Sequence, residues 1–86
     1  MLNAQEESAV REKLTVILAE VFKVSESSIK PDSKLSDLPN GESINIIRMI
    51  ALIERTFDVV LPTFVAFHMD SVADITREIA MMQRAR

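Results

Sequence analysis

Ser43-Ile44-Asn45-Ile46-Ile47-Arg48-Met49-Ile50-Ala51-Leu52-Ile53-Glu54-Arg55-Thr56-Phe57 is the stretch that decides the fold. It contains neither Gly nor Pro, and its apolar residues recur at intervals of three and four, which predicts a helix of about four turns. The apolar residues fall on two stripes. Ile46, Ile50, Ile53 and Phe57 form one, joined by Met49; Ile44, Ile47 and Ala51 form a second on a different face, with Arg48 beside it. A small protein cannot easily bury both. Either this is a central helix, apolar nearly all round, or the Ile44/Ile47/Ala51 stripe stays partly exposed to meet a partner or a bound acyl group. The residues alone favour the first.

Upstream, Val24 to Glu42 loses all periodicity and is rich in Ser, Asp and Pro, which form turns. Connections of this length are uncommon in compact domains unless functional or disordered. The spaced apolar residues Val24, Ile29, Leu35 and Leu38 predict a loop pinned to a core. Before it, from about Asn3 to Phe22, Val10, Leu14, Ile17, Leu18, Val21 and Phe22 predict an amphipathic helix, with Asn3 and Glu6 in capping-box spacing. Downstream, Asp58-Val59-Val60-Leu61 reads as an extended connector before Pro62, because no partner strand is in sight. Thr63 to Met69 has room for one short helical turn. Ser71 and Asp74 mark another capping box, and a last helix turns Val72, Ile75, Ile79 and Met82 inward before fraying through Gln83 to Arg86. The expectation is an all-α, small four-helix bundle, three main helices plus one short one, with a long structured loop between helices one and two.

Composition narrows the function. The chain has 86 residues, one domain's worth, with an expected core of about residues 5–82 and frayed ends. It has no Cys, so disulfides and thiolate metal sites are excluded; with one His, paired-His zinc motifs are excluded too. One Gly and three Pro leave no material for a phosphate-cradling glycine loop. A net charge of −3 and the absence of Trp and Tyr speak against nucleic-acid binding. The polar, acidic start Met1-Leu2-Asn3-Ala4-Gln5-Glu6-Glu7 is unlike a targeting peptide, and the apolar runs are too short to span a bilayer, so a cytoplasmic protein without a membrane role is expected.

Few side chains could do chemistry. The carboxylates are scattered with no paired dyad, His68 is alone, and the Met residues read as core filler. Ser43 stands out: it ends the long loop and opens the best helix, where unpaired N–H groups and the helix dipole favour an anion such as a phosphate ester. Serine at such a position is more often a helix cap, and on residue chemistry alone capping is the stronger reading.

Asp37-Leu38-Pro39-Asn40-Gly41-Glu42-Ser43-Ile44, then a long apolar helix ending Leu52-Ile53-Glu54-Arg55-Thr56-Phe57-Asp58-Val59-Val60-Leu61-Pro62, then Ser71-Val72-Ala73-Asp74-Ile75, resembles the acyl carrier and peptidyl carrier protein family. In that family the pattern is Asp-Ser-Leu or a relative, a helix, a Phe-Asp/Gly-x-x-Ile/Leu-Pro ending, and a closing Ser/Thr-Val-x-x-Ile segment. The resemblance spans about Val10 to Ile79. Each motif is short; their order and spacing make the match specific.

The resemblance implies that Ser43 receives 4′-phosphopantetheine from coenzyme A, flanked by Glu42 and Ile44, and that the prosthetic thiol holds an acyl or aminoacyl group as a thioester. That would supply the sulfur the chain lacks and make the protein a carrier, not an enzyme. Implied partners are a phosphopantetheinyl transferase, a loading ligase, adenylation enzyme or acyltransferase, and downstream synthase or tailoring enzymes, met by a monomer through Ile44, Ile47, Arg48 and Ala51. Three features depart from the pattern. Glu42 and Ile44 replace the common Asp and Leu, the Pro39-Asn40-Gly41 approach is one residue longer than the fatty-acid form, and Asn45 and Arg48 stand where fatty-acid carriers are often acidic. The last feature resembles carriers of specialised polyketide or nonribosomal peptide pathways, with a fatty-acid carrier and an unmodified helical interaction module as alternatives.

Overall fold

The computed structural model of the chain describes residues 4–40, 42–61 and 71–84. They contain three α-helices, α1 (Ala4–Phe22), α2 (Ser43–Phe57) and α3 (Val72–Arg84). Single 3₁₀ turns at Glu26–Ser28 and Leu35–Asp37 punctuate the loop between α1 and α2. Among the described residues there is no strand, and one isolated antiparallel bridge joins Lys34 to Ser71. The chain is an all-α bundle, as its periodicities predicted. The short helix expected within Thr63–Met69, the capping role of Asn3 and the setting of His68 lie outside the described residues.

The three helices share one core because each keeps its apolar residues on a face. α1 packs against both of the others. Leu14, Leu18 and Phe22 of α1, Met49 and Ile53 of α2, and Val72, Ile75 and Ile79 of α3 are fully enclosed. Met82, expected inward, is only half-buried against this core, whereas Thr76 and Ala80 are buried. Thr76 loses no bonding by burial, because its hydroxyl donates to the Val72 carbonyl one turn back over 2.8 Å.

The long loop is held to the core, as its spaced apolar residues predicted. Ile29 and Leu35 are buried, and Val24 and Leu38 pack against the same cluster. The loop also completes α3, whose first N–H groups have no partner inside the helix. The Val72 N–H donates to the Ser33 carbonyl (2.9 Å) and the Ala73 N–H to the Pro31 carbonyl (2.8 Å). Ser71 Oγ accepts the Asp74 N–H at 3.1 Å, the N-cap half of the expected capping box.

Two helices end without glycine. α1 closes on Lys23 in the left-handed region (φ 57), with the Val24 N–H bonded to the Ala19 carbonyl at 3.1 Å in a Schellman-type turn. α2 closes on Asp58 (φ 54), and Gln83 of α3 donates to the Phe57 carbonyl at 3.4 Å. Glu54 then accepts the Leu61 N–H at 2.8 Å, so the connector runs extended along α2 with Val59 and Leu61 buried and Val60 exposed.

Candidate functional site

The start of α2 is built by a hydrogen-bonded turn. Asn40 sits in the left-handed region (φ 61), a conformation its short polar side chain tolerates. Its side-chain amide donates to the Phe22 carbonyl at 3.0 Å, tying the loop to the end of α1. Five residues on, the Asn45 amide donates to the Asn40 carbonyl at 2.7 Å and reaches Glu42 Oε2 at 3.3 Å. Glu42 is the N-cap residue, with φ −63 and ψ 156, and its side chain makes no capping bond. Its carbonyl accepts the N–H groups of Asn45 (2.9 Å) and Ile46 (3.2 Å), which starts the helix. Ser43 is the first residue inside α2. The cap position, which sequence reasoning offered to Ser43 as its ordinary role, therefore belongs to Glu42.

The electrostatics of this helix start are compatible with an anionic phosphodiester. The first turn of α2 holds no acidic residue, and the helix dipole places partial positive charge there. The carboxylate immediately before it, Glu42, accepts from the Asn45 amide.

The outer face of α2 resolves the two stripes. Ile46, Met49, Ile50, Ile53 and Phe57 are buried, while Ile44 is 63% and Ile47 50% exposed, and Arg48, Ala51 and Arg55 are exposed beside them. At about 100° per residue, these five exposed positions cover an arc of about 100° centred opposite Ile53. The Ile44/Ile47/Ala51 stripe is exposed, as the family resemblance implied and against the reading that the residues alone favoured, and Ile44, Ile47, Arg48 and Ala51 share one face. Arg55 belongs with them and was missed as a member, although it lies seven residues after Arg48. Asn40 and Asn45 were also missed as working residues; the Asn40-Gly41 turn dipeptide was the available signal.

Two cavities among the described residues lie away from Ser43. One of about 330 Å³, floored by Val10, Phe57 and Ala80, opens at the far end of α2 from Ser43. Another, of about 220 Å³, lies between α1, Pro31 and α3 and includes no residue of α2. No helix among the described residues is long and apolar enough to cross a membrane.

Comparison with known proteins agrees with this geometry. The family profile described as the phosphopantetheine attachment site matches residues 12–79, which include α2 and most of α1 and α3. Over 56 residues, 65% of this chain and 72% of the relative, the chain is 34% identical to an acyl carrier protein of Chlorobium phaeobacteroides and to one of Chlorobium luteolum. Over the same shares it is 32% identical to an acyl carrier protein of Chlorobium phaeovibrioides. With four-fifths of its length inside the family profile, the chain belongs to the phosphopantetheine-attachment family of carrier proteins, which are carriers rather than enzymes and work through a 4′-phosphopantetheine prosthetic group.

Proposed function

We propose that Ser43 bears the 4′-phosphopantetheine arm and that the protein carries an acyl or aminoacyl intermediate on it. The observation that carries this assignment is the position of Ser43 as the first residue of α2, inside the matched segment and at the positive end of the helix dipole. Five other serines of that segment are engaged in local turns and caps: Ser25 with Ser27, Ser28 with the Ser25 carbonyl, Ser33 with the Lys30 N–H, and Ser71 with the Asp74 N–H; the sixth, Ser36, sits in a 3₁₀ turn and not at the start of an α-helix. In the modification, the Ser43 hydroxyl oxygen forms a bond to the pantetheine-bearing phosphorus of coenzyme A. The pyrophosphate P–O bond breaks, adenosine 3′,5′-bisphosphate leaves with the electron pair, and the hydroxyl proton passes to a base of the transferase. Glu42 and Ile44 flank the arm.

The exposed face of Ile44, Ile47, Arg48 and Ala51, extended by Arg55, is the docking surface for the transferase, the loading enzyme and the enzymes that use the cargo. Two arginines and no carboxylate on this stripe, in a chain of net charge −3, favour partners with an apolar pocket rimmed by carboxylates. That polarity supports a dedicated polyketide or nonribosomal peptide pathway. The names of the Chlorobium relatives favour an acyl cargo and keep fatty-acid synthesis as the second reading.

Intact mass measurement after co-expression with a broad-specificity phosphopantetheinyl transferase tests the assignment. The wild type gains the mass of one phosphopantetheinyl group and Ser43→Ala gains none. Modification of Ser43→Ala would move the site elsewhere, and an unmodified wild type would leave either a carrier that needs a dedicated transferase or the plain helical interaction module.

A further inference from the structure

Two residues at which this chain departs from the family's usual pattern are bonded to each other around Ser43. The Asn45 side-chain amide carries two hydrogens, enough to serve both the Asn40 carbonyl at 2.7 Å and Glu42 Oε2 at 3.3 Å. Asn40 is in turn held by its own amide to the carbonyl of Phe22, whose side chain is fully buried in the core. The backbone on either side of Ser43 is thereby anchored, upstream to α1 through Asn40 and downstream to the first turn of α2 through Asn45. Asn40, the left-handed residue of this approach (φ 61), takes part in both bonds, by its side chain to Phe22 and by its carbonyl to Asn45.

We infer that Asn45 and Asn40 are positioning residues for the modification of Ser43, forming a clasp that fixes the backbone from which its hydroxyl attacks coenzyme A. The inference rests on the assignment of Ser43 as the attachment residue. Phosphoryl transfer requires the attacking oxygen in line with the leaving P–O bond, and a displacement of about 1 Å can cost about a hundredfold in rate. The clasp is specific to an amide at position 45. An aspartate there has the same shape but only accepts hydrogen bonds, so it would leave the Asn40 carbonyl unpaired and set two carboxylates against each other at Glu42.

The test is single-turnover modification of the apo protein by a broad-specificity transferase with coenzyme A, read by mass spectrometry over a range of transferase concentrations. Wild type is compared with Asn45→Asp, Asn45→Ala, Asn40→Gly and the Asn40→Gly/Asn45→Ala double variant. Both Asn45 variants should lose about tenfold in the saturating rate, with the half-saturating concentration within about twofold of wild type. The double variant should be no slower than the slower single variant, because the two residues act as one unit. Amide exchange of Glu42 to Ile44 should quicken in each, while thermal unfolding stays cooperative. Wild-type saturating rates in the Asn45 variants would overturn the clasp, as would an effect confined to half-saturation, which marks a direct transferase contact. Asn40→Gly, which removes only the Phe22 bond, should also lose several-fold in the saturating rate; if an Asn45 variant unfolds, this variant is read in its place, and a wild-type saturating rate in it would overturn the clasp. Failure of the Ser43 assignment is a separate result: there the wild type itself is not modified, or Ser43→Ala still is.

Discussion

The side-chain amide of Asn40 lies 3.0 Å from the backbone carbonyl of Phe22, bridging the end of α1 and the loop that opens α2. The bond satisfies a carbonyl in the last turn of α1 that has no intrahelical partner. Asn40 also spares the chain part of the cost of a left-handed residue. These contributions separate by substitution. Asn40→Gly removes the bond but keeps the conformation accessible, and should cost about 1 kcal/mol. Asn40→Ala loses both, and should cost about 2 kcal/mol. Urea denaturation reads the difference; an alanine variant as stable as the glycine variant would mean the backbone here is not held left-handed.

The two stripes of α2 differ in what they stabilise. Ile53 is fully buried, so Ile53→Ala removes core contacts and leaves a cavity, at a cost of about 2–5 kcal/mol. Ile47 is half exposed on the outer face, and Ile47→Ala should change stability by about 0.5 kcal/mol or less. Equal losses in thermal or chemical unfolding would place both stripes in the core and remove the docking face.

Periodicity carried most of the fold, because a helix fixes which residues share a face before any neighbour is known. It could not say which stripe of α2 is covered. That depends on α1 packing over the Ile46/Ile53 side and leaving Ile44 and Ile47 without a lid. The position of Ser43 was legible from the loop-to-helix change in pattern, but its neighbours' roles were not. The Asn40 to Phe22 bond depends on where the loop turns left-handed, and an unsplit Pro39-Asn40-Gly41 string states only that it turns. Likewise, helical spacing puts Thr76 on the Val72/Ile79 face, but a hydrophobic pattern passes over a polar residue; its burial is tolerated because its hydroxyl is satisfied within its own helix.

Lys23 ends α1 at φ 57, where a side chain crowds the backbone. Glycine relieves that crowding, at some cost in unfolded-state entropy. Lys23→Gly should therefore stabilise the protein by about 0.5–1 kcal/mol, read as a higher urea midpoint with an unchanged slope. A destabilised variant would indicate that the lysine stem covers apolar surface worth more than the strain.

Arg48 and Arg55 stand on one exposed face of α2, with Glu54 turned aside to hold the Leu61 N–H. Exposed charges like these act mainly on encounter and orientation, over distances set by the ionic atmosphere. Arg48→Glu/Arg55→Glu should leave stability within about 0.5 kcal/mol of wild type. It should still slow association of the loaded carrier with its cognate loading or transfer enzyme about tenfold or more at low salt. Raising the salt should slow wild-type association and speed that of the variant, since screening weakens an attraction in one and a repulsion in the other. Stopped-flow association across an ionic-strength series reads both slopes. A flat wild-type slope would mean that the apolar residues Ile44 and Ile47 select the partner unaided, while a slope of the opposite sign would place basic, not acidic, groups on the partner's docking surface.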